Sequence, residues 1–242
     1  MSGNLPWPGI DVEALEPLER AFAAYLGGRS DAVVRVHAEG EWDQDLPVAH
    51  FFRSRRRLTR FDRCVLAVAE GDVLDVGAGV GALAEPLARA GHAVTALEIL
   101  PTAVGVLRSL GLEDVRLESI WTCERDRAWD TVLAFMNGTT LAGTRAGLPV
   151  LLERLDTLTA PGGTLLIDST ELCDDGDRLP DGRFAGELWY QLEFDGVMAA
   201  PFSQLFVPEA TLAAEAAAVG WERMRVLHRD AAGRYLAALV AR

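Results

Sequence analysis

Between Asp11 and about Leu26 the apolar residues Val12, Leu15, Leu18, Phe22, Tyr25 and Leu26 recur at three- and four-residue spacing before Gly27-Gly28. That pattern predicts an amphipathic helix with Asp11 as its N-cap. Residues 32–37 read as extended, and 38–50 form a polar stretch ending in Pro47-Val48-Ala49-His50. A second helix is predicted from Arg55 to about Glu70, with Leu58, Phe61, Val65, Leu66 and Ala69 on its apolar face. Residues 1–70 are thus predicted to be a mostly helical lid or cap.

After Gly71 the period changes. Val73-Leu74-Asp75-Val76 is a short apolar run, Gly77 to Gly81 is glycine-rich, and Ala82 to Ala90 returns to helical spacing. Strands at 93–98, 115–117, 129–136 and 164–168 then alternate with helices at 102–110 and 147–160. Such alternation predicts a parallel sheet covered on both faces. The last third differs. Leu188 to Phe194 alternates apolar with polar and meets a turn at Asp195-Gly196, which predicts a hairpin inserted at about 180–206. A helix at 209–219 precedes an antiparallel ending, 222–229 and 234–240. The expected fold over 71–242 is a Rossmann-like, doubly wound, mostly parallel α/β sheet with an antiparallel final strand.

Composition removes several function classes. All 23 basic residues are arginine against 36 acidic ones, a net charge of −13. With no lysine, a P-loop, a Schiff-base enzyme and a Tyr-x-x-x-Lys dehydrogenase are excluded. The negative field argues against nucleic-acid partners. The run Arg53, Arg55, Arg56, Arg57, Arg60 and Arg63 is read as pairing with the acidic surplus, since on a helix it spreads over more than one face. No apolar run nears the roughly 20 residues that span a bilayer, and no export signal is evident. Cys64, Cys123 and Cys173 suit neither a disulfide framework nor zinc, so a cytoplasmic protein is expected.

The candidate chemistry centres on Val73 to Gly81. Glycines at a strand-to-helix turn let backbone approach a ligand closely, and Glu98 at the end of the next strand is placed to accept ribose hydroxyls. Gly77, Gly79 and Ala82 also satisfy the dinucleotide fingerprint in its alanine-ended form. Asp75 separates the two cofactors. A carboxylate beside a pyrophosphate repels it, whereas S-adenosylmethionine offers an ammonium and a sulfonium.

VLDVGAGVGALA (73–84), AVTALEI (93–99), WDTVLAFMNG (129–138) and PGGTLLIDS (161–169) together resemble the ordered motif set of class I S-adenosylmethionine-dependent methyltransferases. The resemblance spans about 71–170. It implies that Gly77, Gly79 and Gly81 shape the cofactor loop, that Asp75 orients it or the methionine amine, and that Glu98 holds the ribose. Ile99 is implied against adenine, with Phe135, Met136 and Asn137 closing the pocket. Many members carry an Asp after the third strand, where Glu118-Ser119-Ile120 stands here, so Ser119 and Ile120 are the implied adenine contacts.

For the acceptor side, the stretch 47–53, MNGTTLAG (136–143) and Leu188 to Phe206 resemble a less characterised bacterial group of such enzymes. His50 and Tyr190 are the candidate catalytic groups, His50 alternatively being a packed surface imidazole. Arg53 is a candidate for the cofactor carboxylate or an anionic substrate. Trp189, Tyr190, Glu187 and Glu193 are candidate pocket residues, and Asp168 and Ser169 end a parallel strand where open sheets place ligand groups. Asp174, Asp175 and Asp177 lack a completing glutamate, so no metal is expected. The expected activity is methyl transfer to an oxygen, nitrogen or sulfur of a small, partly apolar molecule. The alternatives are an NAD-linked dehydrogenase or a non-catalytic, methyltransferase-like cofactor-binding subunit.

Overall fold

The computed structural model describes residues 12–40, 42–52, 57–124 and 127–242. Its main sheet has seven strands: β3 (Val73–Val76), β4 (Val94–Glu98), β5 (Asp114–Leu117), β6 (Trp129–Ala134), β7 (Thr159–Thr170), β11 (Arg223–Arg229) and β12 (Arg234–Val240). Their order is β11-β12-β7-β6-β3-β4-β5, with the first five in sequence parallel and β12 antiparallel to both neighbours. Helices α2 (Arg60–Val68), α3 (Ala84–Ala90) and α4 (Pro101–Ser109) alternate with strands ahead of α5 (Gly147–Leu158) and α6 (Glu209–Ala218). The architecture is the Rossmann-like one that the alternation predicts.

Pleating divides the core. Leu74, Val76, Val132, Ala134, Leu165 and Ile167 point to one face and pack with Leu151, Leu155 and Leu212 of α5 and α6. Val73, Leu133 and Leu166 point to the other, against Val65, Leu87 and Leu107 of α2, α3 and α4. Each fully buried aliphatic side chain contributes roughly 1.5–3 kcal/mol.

The N-terminal region departs from expectation. After a 3-10 turn at Val12–Leu15, α1 covers Glu16–Leu26, but β1 (Val33–Ala38) and β2 (Trp42–Pro47) follow. The first seventy residues are therefore less helical than predicted. β2 escapes a hydrophobic scan because it is an edge strand whose Asp43, Gln44 and Asp45 are exposed; polar edges are a common protection against further pairing. Helix α2 begins at Arg60, later than Arg55, because Thr59 and Asp62 form a reciprocal capping box that starts the helix there. The Asp11 cap and Arg53 lie outside the described residues.

β1 also pairs with β8 (Glu187–Phe194), which pairs in turn with β10 (Phe202–Leu205) and, across the Asp195-Gly196 turn, with β9 (Val197–Met198). The result is a second, antiparallel sheet ordered β10-β8-β1-β2. Its inner residues Val34, Val36, Leu192 and Phe202 pack with Phe22 of α1 and with Val80, Leu100 and Ala103 of the main domain core. Two segments about 150 residues apart, predicted as separate additions, make one body.

Candidate functional site

β3 pairs with β4 on one side and β6 on the other, so the chain reverses its direction of travel at the carboxyl end of β3. Open α/β sheets bind ligands at such a point. A cavity of about 370 Å³ lies there, walled on one side by the 75–80 turn and on the other by α1 and the second sheet.

The turn is built for close approach. Gly77 and Gly79 have φ of +68° and +55°, and a Cβ on either would meet nothing within 4 Å. These positions need glycine for backbone conformation, and the space beside them is open to a ligand. Gly81 differs. It does not line the cavity, and a Cβ there would come within 2.9 Å of Leu110 Cδ1, so its small size serves packing against the end of α4.

Glu98 fastens the turn. Its Oε2 accepts from the Gly79 N–H at 2.7 Å, and its Oε1 accepts from Ile99 and Leu100 N–H at 2.7 and 2.9 Å. A carboxylate has about four lone-pair positions, so room remains for a further donor. Burial raises its pKa against the opposing pull of these N–H groups. Asp75, fully buried by contrast without such donors, is pushed up to about 7 by burial and by the neighbouring Glu98 charge. No arginine or histidine stands among the described residues of the wall. Two carboxylates with no cation beside them among the described wall residues fit a ligand that brings a positively charged group.

Of the other residues predicted to hold cofactor, Ile99, Phe135, Met136 and Asn137 line this cavity. Met136 and Asn137 follow β6 with φ of +65° and +62°, two successive side-chain-bearing residues in left-handed conformation. Such backbone persists only when its surroundings hold it. Here Asp168 accepts from the Gly138 N–H at 3.0 Å, and Thr170 Oγ1 donates to Asn137 Oδ1 at 2.8 Å. Arg234, ion-paired with Asp168 at 2.6 Å, lies over Phe135 and Phe61 at 4.9 and 4.4 Å from the ring centres. Asp168 thus supports the wall from behind, and Ser169 accepts from Thr139 Oγ1 and the Val207 N–H.

Ser119 and Ile120 are not brought to the cavity. Ser119 Oγ accepts from Trp121 N–H in its own turn, and Ile120 is buried in the core beneath α5. His50 is exposed, edge-on to Phe51, and outside the wall. Tyr190 lines the cavity, whereas Trp189 is exposed and Glu193 bonds His37 Nε2. Glu187 accepts from Arg145 N–H, away from the cavity. Sequence reading missed Thr140 and Gln204, both in the wall. Gln204 was discoverable as the alternate partner of Phe202 along β10, while Thr140 sits in a 3-10 turn with no periodic signal.

Comparison with known proteins places this geometry. No family model matches the chain. Over 98 residues, 38% of its length, it is 35% identical to the ubiquinone biosynthesis O-methyltransferase of Xanthomonas euvesicatoria pv. vesicatoria, and the match spans 41% of that relative. Across 95% of this chain and 97% of the other, its structure is similar to that of an S-adenosylmethionine-dependent methyltransferase from Bacteroides fragilis solved with S-adenosylhomocysteine, with a TM-score of 0.83 and 29% identity. The sugar N-methyltransferase KedS8 from Streptoalloteichus shares the fold at a TM-score of 0.57 and 19% identity, over 80% of this chain and 92% of that one. The fold is that of the class I S-adenosylmethionine-dependent methyltransferases. The dehydrogenase alternative finds no support in these comparisons.

Proposed function

We propose that the protein transfers the methyl group of S-adenosylmethionine to a nucleophile on a small, largely apolar molecule. The observation that carries this reading is the continuity of one cavity from Gly77, Gly79, Asp75 and Glu98 to the apolar side chains of α1 and the second sheet. The bound cofactor supplies a methyl carbon on an electron-poor sulfur, already activated for displacement. The chain's own work is positional. Asp75 offsets the cofactor's positive charge, Glu98 would accept from its ribose hydroxyls, the glycine turn lets backbone close on it, and Phe22, Phe51 and Leu192 exclude water around the acceptor.

The acceptor is read as small because the cavity is enclosed between α1 and the second sheet, and because the −13 net charge disfavours phosphate backbones. No helix among the described residues is long and apolar enough to cross a membrane. A cytoplasmic setting is supported by the long spacing of Cys64, Cys123 and Cys173, which suits no disulfide framework.

S-adenosylhomocysteine is expected to raise the melting temperature by mass action, and NADH at the same concentration is not. Gly79→Val should abolish the shift, because the new side chain enters the ligand's space and is strained at φ of +55°. A shift with NADH alone would overturn the cofactor assignment. With labelled cofactor in a cell lysate, label is expected in the small-molecule fraction; label confined to nuclease-sensitive or protein-sized material would overturn the acceptor class.

A further inference from the structure

The acceptor half of the cavity carries a more specific signature, resting on the methyltransferase reading for which half is which. Beyond the glycine turn its wall is Leu18, Phe22, Val36, Leu46, Phe51 and Leu192. The ionisable side chains among the described wall residues are Asp75, Glu98 and Tyr190. All four histidines of the chain are described, and none lines the cavity. With no lysine anywhere, neither an imidazole nor an amine stands ready to neutralise a negatively charged acceptor or to take its proton.

Three residues interrupt this apolar wall. Tyr190 lies on β8 and Gln204 on the adjacent β10, where Tyr190 pairs opposite Phe202 and alternation puts Leu192, Phe202 and Gln204 on the same inner face. Thr140 belongs to the 3-10 turn after β6. Within the described residues the Tyr190 hydroxyl, the Gln204 amide and the Thr140 hydroxyl make no side-chain hydrogen bond, unlike Asn137, Thr139 and Ser203 nearby. All three line the cavity with hydrogen-bonding capacity that no described residue takes up, so it is available to what the cavity binds.

We infer that the acceptor is an uncharged hydrophobic molecule whose hydrogen-bonding groups are read by Tyr190, Gln204 and Thr140. An anion would exchange its hydration for a wall that offers no cation among the described residues. A cation would lose its hydration against aliphatic and aromatic walls, Asp75 and Glu98 being committed to the cofactor's positive group and its ribose. An amine acceptor therefore enters as its free base, the form whose lone pair can attack. The three polar groups discriminate by what they leave unpaired: an analogue lacking the matching donors and acceptors strands them in a dry site.

The test uses the full-length protein saturated with S-adenosylhomocysteine and three probes of one shape and different charge: para-cresol, para-toluate and N-methyl-γ-picolinium. By calorimetry, para-cresol should bind at least about tenfold more tightly than either ion. Gln204→Leu and Tyr190→Phe, both close to the parent side chains in shape, should each weaken para-cresol by roughly five- to thirtyfold while leaving S-adenosylhomocysteine affinity unchanged. Tighter binding of either ion, no binding of para-cresol at millimolar concentration, or parental affinity in both variants would overturn the inference. Failure of S-adenosylhomocysteine itself to bind would instead remove the methyltransferase reading and this inference with it.

Discussion

Asp75 sits at the end of β3 with 4% of its surface exposed and ionises against both burial and Glu98. Its carboxyl titrates near 3.8 when unfolded and is pushed up to about 7 when folded, so between those values the native state binds the additional proton. Raising the pH through that window therefore destabilises the ligand-free protein, and the penalty is fully present above about 7. Asp75→Asn removes it. The variant should melt higher than the parent at pH 8, by a margin that shrinks as pH falls from 7 toward 4, while binding S-adenosylmethionine more weakly. Thermal scans across pH with a parallel titration check both halves; equal melting at pH 8 would mean that Asp75 is not strained in the folded state. At this scale the glycine turn, Asp75 and Glu98 were legible because their chemistry is local to one strand-turn-helix unit. The fastening of Gly79 by Glu98 was not, since it needs the distance between neighbouring strand ends. Ser119 and Ile120 stand outside the cavity wall for a related reason: which way a side chain leaves the turn after β5 depends on packing beneath α5.

Strand periodicity identified every strand of the large sheet, with β7 starting at Thr159 rather than Thr164. The second sheet was only half visible. β8 alternates clearly, yet its partner β1 lies 150 residues away, and no local pattern encodes that pairing. One side-chain group holds the two together on the outer face: His37 on β1 bonds Asp43 of β2 at 3.1 Å and Glu193 of β8 at 2.9 Å. Glu193, then Asp43, raises the His37 pKa against burial. A raised folded value means that this clip contributes fully below the unfolded value of about 6.5 and is lost as pH rises past the folded one. His37→Gln should lower the melting temperature at pH 6 and match the parent at pH 9. The effect is under about 1 kcal/mol, because the group is partly exposed and salt-screened. A difference that persists unchanged to pH 9 would assign the loss to packing instead of charge.

For the molecule as a whole, the cavity belongs to neither sheet. The large sheet contributes the turn at the end of β3, and the segments before α2 contribute Leu15, Leu18, Phe22, Val36 and Leu46. Glu19 of α1 crosses to the start of α4, accepting from Thr102 N–H and Oγ1 at 2.9 and 2.5 Å, so the two bodies meet through polar as well as apolar contacts. A lid that merely covers a finished domain could be cut away with the remainder intact. These residues predict otherwise. A chain beginning at Thr59 keeps α2 with its cap and every strand of the large sheet, but β8 loses β1, and Leu192, Phe194, Phe202, Val80 and Leu100 lose Phe22, Val34, Val36 and Val48. Each of those buried partners stabilises by roughly 1.5–3 kcal/mol, and together they approach the 5–15 kcal/mol net stability typical of a domain. The shortened chain is expected to lose both its cooperative thermal transition and its binding of S-adenosylhomocysteine. Melting within about 5 °C of the parent, a change of only one or two kcal/mol for a domain of this size, would show that the N-terminal elements are a separable cover and that the second sheet does not require β1.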